Sequence, residues 1–113
     1  DTFGHNTGDN VLIQIAEIVR SMVRNSDIFA RWGGEEFVIL QLDTNYEGTI
    51  SFAQRLRKEI EHSVFNDVGR ITISLGVAQY NNMESIESFI KKADDAMYKA
   101  KEQGKNRVVV DNG

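Results

Sequence analysis

Ile28-Phe29-Ala30-Arg31-Trp32 and Phe37-Val38-Ile39-Leu40 are strand-like apolar runs with only Gly33-Gly34-Glu35-Glu36 between them. Apolar runs joined by a short, glycine-containing gap read as a β-hairpin. The glycines supply positive φ and let a ligand come close to backbone. Glu35 and Glu36 then project from a tight turn, exposed and near each other. Paired carboxylates at such a tip suit a hard divalent cation such as Mg²⁺, which binds through few carboxylates plus substrate phosphates. Taken alone, the same residues also fit an ordinary polar hairpin tip.

The rest of the chain alternates helix and strand periods. A first helix is predicted from residue 8 or 9 to residue 24, with Thr7 or Asp9 as its cap and Leu12, Ile15, Ala16, Val19, Met22 and Val23 on its buried face. The hairpin follows at about 27–32 and 36–42, then cap and turn chemistry at Asp43-Thr44-Asn45. A second helix is predicted over 47–62, burying Ile50, Ala53, Leu56 and Ile60, with a turn at Asn66-Asp67-Val68-Gly69. Residues 70–79 read as a strand, with Thr72, Ser74 and Gly76 alternating against Ile71, Ile73, Leu75 and Val77. A third helix is predicted over 85–103 with Ile86, Phe89, Ile90, Ala93, Met97 and Ala100 inward, stopped by Gly104 at C′, before a last strand over 107–110. The order is α-β-β-α-β-α-β, without repeat, linker or low-complexity segment.

Composition narrows the class. The chain has 113 residues, 41% hydrophobic and 27% charged, which fits one globular domain with one core. A net charge of −4 argues against general nucleic-acid binding. No apolar run is long enough to span a bilayer. The absence of cysteine excludes disulfide and thiolate chemistry. His5 and His62 lie far apart without metal-ligand spacing, so His5 reads as structural.

Several segments carry a resemblance in the right order. Arg31-Trp32-Gly33-Gly34-Glu35-Glu36-Phe37 resembles the signature of the GGDEF family, the diguanylate cyclases, in its Glu-Glu form. Asp1-Thr2-Phe3-Gly4-His5-Asn6-Thr7-Gly8-Asp9 is similar to the family's N-D-x-x-G-H-x-x-G-D segment without its first Asn. Ile71-Thr72-Ile73-Ser74-Leu75-Gly76-Val77-Ala78 resembles its T-x-S-x-G-[VI]-A strand. Ala93-Asp94-Asp95-Ala96-Met97-Tyr98-Lys99-Ala100-Lys101 and Gly104-Lys105-Asn106-Arg107-Val108 are similar to its A-D-x-A-x-Y-x-A-K-x-x-G-[RK]-N-R-V ending. Any one motif could mislead, whereas ordered agreement along the whole chain is specific.

The resemblance implies an α/β fold of α+β sandwich type, a nucleotidyl cyclase palm-like mixed sheet with flanking helices. It implies condensation of two GTP into cyclic di-GMP with release of two pyrophosphates, in a homodimer that uses Mg²⁺ or Mn²⁺, two ions per GTP. Glu36 matches the metal-binding carboxylate, and Glu35 the position given either to the metal or to the 3′-OH as base. Gly34, lacking a Cβ, would let the nucleoside lie on the hairpin. Asp9 matches the acceptor for the guanine edge, with a plain helix N-cap as the competing role. Lys101 and Lys105 match phosphate-binding cations; Lys105 stands where many members have Arg, which keeps charge and loses bidentate geometry. The helix dipole alone would also favour them there. Arg24 and Asp27 form the R-x-x-D of the family's product-inhibition site, and Arg55 falls where a second inhibitory Arg can lie. A bare i, i+3 ion pair is the plain alternative.

The family's fold begins with one more strand, central in the sheet, ahead of the position of Asp1. That segment carries an Asp metal ligand, a carbonyl ligand, a Lys and amides near the triphosphate, and the Asn that reads guanine. Residues 1–113 therefore read as a single catalytic domain cut before its first strand. On this reading the chain alone is inactive, and either misfolds or closes the gap by exchanging or adding strands in a dimer. The parent is expected in the cytoplasm, whether or not membrane-anchored, with its sensory or receiver domain outside this segment. The alternatives are a non-catalytic module that binds GTP or cyclic di-GMP, and a structural fragment without a ligand.

Overall fold

The computed structural model describes residues 4–32, 36–66 and 68–111, with side chains from residue 8 onward. Helix α1 spans Gly4–Met22 and buries Ala16 and Val19, while Ile13 is 56% exposed. It starts earlier than its sequence suggested, so Thr7 and Asp9 lie inside the helix and neither caps it. No proline stands in the way, and a helical Gly8 costs only about 1 kcal/mol relative to Ala.

Strands β1 (Ile28–Arg31) and β2 (Phe37–Leu40) form the expected antiparallel hairpin, in the register Phe29↔Ile39. The Trp32 amide donates to the Glu36 carbonyl at 2.9 Å, extending the pairing by one step towards the tip. Helix α2 (Tyr46–Glu61) starts where Asn45 accepts from the Gly48 amide at 2.8 Å. Its inner face meets α1 in a core of Val19, Phe52, Leu56, Ile60 and Phe65, against which Phe29 and Ile39 of the hairpin also pack. Ile50, expected inward, is only half-buried, and Phe52 takes the central place because the inner face is rotated towards it.

Strand β3 (Leu75–Val77) pairs in parallel with β4 (Val108–Val110), and helix α3 (Ile86–Glu102) supplies the crossover between them. Ser85 caps α3 by accepting from the Ser88 amide at 3.1 Å. Ile86 sits at the first helical position and is 54% exposed rather than buried, because the first turn overhangs the sheet. The phenol of Tyr46 donates to the carbonyls of Val77 and Asp111, tying the start of α2 across the ends of β3 and β4. Burial and the nearby Asp111 raise its pKa above the ordinary phenol value.

The strand expected over 70–79 is regular only at Leu75–Val77, where β4 lies alongside. A strand needs a ladder partner, and residues 71–74 have none among the described residues. Among the described residues the strands form two two-stranded sheets, β1-β2 and β3-β4. Between them lies a cleft of about 850 Å³, with Val38, Ile39 and Leu40 on one wall and Ile71, Ile73 and Leu75 on the other.

The seat of α3 on this sheet is Gly76. A Cβ there would overlap the Ala93 carbonyl and the Met97 amide, both backbone groups that cannot swing aside. Gly76→Ala should therefore destabilise the fold by about 3 kcal/mol or more, in the range of severe overpacking. Urea unfolding of wild type and variant measures it; a loss well under 1 kcal/mol would mean that α3 sits further from the sheet.

The loop entering α3 is held by Glu84, which accepts from the Asn81 amide at 2.8 Å and pairs with Lys92 at 2.8 Å. The Lys92 hydrogen bond, then the Asn81 amide, hold its carboxyl below the usual carboxylate range. A lowered folded pKa means that the unfolded chain takes up the proton first as pH falls. The stabilisation is complete above the unfolded pKa and disappears as pH falls through the folded one. The melting-temperature gap between wild type and Glu84→Gln should be open at neutral pH and close on acidification; a gap independent of pH would remove this role.

Candidate functional site

The ends of several elements converge on the cleft. The first half of α1 contributes Gly8 and Asp9, the hairpin contributes Trp32 and Glu36, and the end of α3 and the loop beyond it contribute Lys101 and Lys105. The structure thus brings Asp9, Glu36, Lys101 and Lys105 to one cavity from distant parts of the chain. Asp9 is exposed on its helix, and Glu36 is half-buried immediately before β2. Gly34 and Glu35 lie outside the described residues.

Local chemistry explains how the lysines reach this place. Helix α3 ends at Gln103, and Gly104 continues with φ +125°. The Lys105 amide donates back to the Ala100 carbonyl at 2.9 Å, and the Gly104 amide to the Lys101 carbonyl at 3.4 Å. This is the paired C-terminal cap that turns the chain sharply off a helix. It places Lys101 on the last helical turn and Lys105 just past the stop. Both ammonium groups also sit at the negative end of the helix dipole.

The lining therefore carries both signs of charge. Lys101 and Lys105 offer cations suited to phosphate oxygens, and Asp9 and Glu36 offer carboxylates suited to a metal ion or to N–H donors. Among the described residues no group of three or more His, Asp or Glu side chains is placed to hold a metal ion. Mg²⁺ does not require such a cage, since it uses one or two carboxylates plus phosphates and water. A hard oxygen donor at Glu36 facing a cleft lined by Lys101 and Lys105 fits that chemistry.

Arg24, Asp27 and Arg55 are not in the cleft. Arg24 and Asp27 close a tight turn instead: the Arg24 amide donates to Asp27 Oδ2 at 2.8 Å and the Asp27 amide to the Arg24 carbonyl at 2.9 Å. The plain ion-pair alternative fails, because the carboxylate serves backbone and the Gln41 amide, which donates to Oδ2 at 3.3 Å. The Arg24 guanidinium is exposed and makes no hydrogen bond among the described residues. Asp27 Oδ1 is buried without a hydrogen-bond partner among the described residues. Arg55 is exposed on α2 with its guanidinium 5.7 Å from the Phe52 ring centre, and no hydrogen bond or ion pair joins it to the turn. Sequence reasoning passed over Trp32, which lines the cleft at 51% exposure. A lone bulky aromatic directly before paired glycines was the available signal.

The model of the family described as "Diguanylate cyclase, GGDEF domain" matches residues 1–107. The chain belongs to the GGDEF family. It is 43% identical over 97% of its length to diguanylate cyclase A of Treponema denticola, and 40% identical over 96% to diguanylate cyclase DgcM of Escherichia coli. It spans only 31% and 27% of those relatives. Among solved structures, the active GGEEF domain of a diguanylate cyclase from Vibrio cholerae superposes with a TM-score of 0.90 at 30% identity, covering all of this chain and 74% of that one. The GGDEF domain of DgcB from Caulobacter crescentus, solved with c-di-GMP, superposes with a TM-score of 0.92 at 30% identity, covering all of this chain and 70% of that one. These likenesses bear out the α+β fold and the cyclase family. No described helix is long and apolar enough to cross a membrane.

Proposed function

We propose that this chain is the nucleotidyl-transfer domain of a diguanylate cyclase, working as a homodimer in which each copy presents one GTP to the other. The observation that carries the reading is the meeting of Asp9, Glu36, Lys101 and Lys105 in one cleft. Asp9 accepts from the N1–H and N2–H₂ donors of guanine, a pair that adenine lacks. Lys101 and Lys105 neutralise the triphosphate. Glu36, together with Glu35, would hold Mg²⁺ or Mn²⁺, which when bound supplies Lewis-acid neutralisation of phosphate charge and makes the ribose hydroxyl easier to deprotonate. The 3′-oxygen of one GTP forms a bond to the α-phosphorus of the other as the bond to pyrophosphate breaks, and the hydroxyl proton passes to Glu35 or to solvent. Two such steps close the ring.

The Arg24–Asp27 turn supports product inhibition. With Asp27 engaged by backbone, the exposed Arg24 guanidinium can grip the phosphate and guanine edge of cyclic di-GMP, with Arg55 as a second cation. DgcB, a structural neighbour, was solved with c-di-GMP. A module that binds cyclic di-GMP without turnover would keep this turn and lose the chemistry of Glu36.

The intact protein with Mg²⁺ should convert GTP to cyclic di-GMP and leave ATP unreacted. Glu36→Gln, removing a metal-holding charge, should lower kcat about 100-fold or more. Product quantified by chromatography decides; undiminished turnover in Glu36→Gln would remove the basis of the assignment, and a wild type that binds GTP without product would leave the binding module.

Arg24→Ala should weaken cyclic di-GMP binding about tenfold or more by losing a charge-assisted donor. Calorimetric titration is the check, and equal affinity for both proteins would rule out the turn as the inhibitory site.

A further inference from the structure

Residues 104–106 follow an unusual path. Gly104 has φ +125°, and Lys105 and Asn106 continue in the left-handed region at φ 63° and 47°. That region is easy for glycine and tolerable for asparagine, but disfavoured for a long side chain such as lysine. Consecutive residues of this kind persist only where their surroundings impose the path.

The surroundings are explicit. Lys105 is fixed at its amide by the Ala100 carbonyl and at its carbonyl by Arg107 Nε at 3.1 Å. The next residue is clamped by α2. Asn106 Oδ1 accepts from Arg57 Nη1 at 3.1 Å, and Asn106 Nδ2 donates to Glu61 Oε2 at 2.6 Å. Arg57 Nη1 closes the ring on Glu61 Oε1 at 3.4 Å, and Arg57 Nε is set by Gln54 Oε1 at 3.0 Å. The Arg57 side chain is 16% exposed and that of Glu61 35%, so the clamp is partly shielded from competing water. Each of the three side chains touches the other two, and none of them lines the cleft. Lys105 does line it.

We infer that Asn106 is a positioning residue: clamped by Arg57 and Glu61, it fixes the loop backbone that presents Lys105 to the phosphates of the nucleotide. The inference rests on reading the cleft as a GTP site. A lysine is a point charge on a flexible stem, so the stem's root is what the protein can place. If that root is released, the ammonium samples a wider volume and pays more entropy on each encounter with phosphate. Affinity for the triphosphate is thus partly set by α2 residues that never meet the ligand.

The test is a double-mutant cycle on the intact protein, read by equilibrium binding of a GTP analogue with a methylene bridge at the α–β position. The variants are Lys105→Ala, Asn106→Gly and the pair. Glycine keeps the left-handed path accessible while removing the clamp. Each single change should weaken the analogue about fivefold, and the pair should be no weaker than Lys105→Ala, because coupled residues are not additive. Guanosine, which has no phosphates, should bind all four proteins alike. Wild-type affinity in Asn106→Gly, or a double variant weaker by the product of the single effects, would overturn the positioning role. If circular dichroism shows Asn106→Gly unfolded, Glu61→Ala, which leaves the loop sequence intact, carries the same comparison with the same outcomes. A wild type that does not bind the analogue would instead overturn the GTP reading and this inference with it, whereas binding that is sensitive to Lys105→Ala but not to loss of the clamp sinks the clamp alone.

Discussion

Helix α3 lies on the β3-β4 sheet closely enough that glycine is the only residue without a side-chain atom in the contact. Gly76 faces the Ala93 carbonyl and the Met97 amide, while Ala96 and Ala100 bury their small side chains along the same helix. A bulky residue at any of these places would lift the helix from the sheet. The separation matters beyond packing, because α3 ends at the cleft. Its last turn carries Lys101, and its C-terminal cap throws Lys105 to the same cavity. Where the helix rests on Gly76 therefore sets where the cations stand relative to Glu36 and Asp9.

Much of this was legible in the sequence where local chemistry decides structure. The cap chemistry at Asn45 announced the start of α2, and Gly104 the stop of α3, because a capping side chain or a left-handed residue works within one turn of itself. The hairpin was equally local. What failed depended on distant partners. Residues 70–74 carry a strand's alternation yet form no ladder among the described residues, since a ladder needs a neighbour and alternation does not supply one. Phe52 outranked Ile50 in the core because α1, Phe65 and the hairpin chose which face of α2 to cover.

The candidate site divides the same way. Asp9, Glu36, Lys101 and Lys105 were legible through ordered motifs, and their meeting in one cleft follows from the fold. Asp9 as a cap was not to be had, since α1 begins a turn earlier. The use of Asp27 as a backbone acceptor, rather than as an ion-pair partner for Arg24, depends on a turn geometry that R-x-x-D spacing alone leaves open. The bonds from Asn106 to Arg57 and Glu61 join residues 49 and 45 apart in sequence, beyond any local pattern.

The hairpin β1-β2 is seated differently from the β3-β4 pair. Hydrogen-bond ladders are stiff in the plane of a sheet, whereas apolar contacts between layers allow small sliding. Here no ladder runs from the hairpin to the β3-β4 pair among the described residues, so side-chain packing on α1 and α2 is what holds the hairpin against the rest. Glu36 thus stands on the hairpin, and Lys101 and Lys105 at the end of α3. A change at Phe29 or Ile39, where the hairpin meets the core, is therefore felt at Glu36 through the packing of the hairpin rather than through a neighbouring strand.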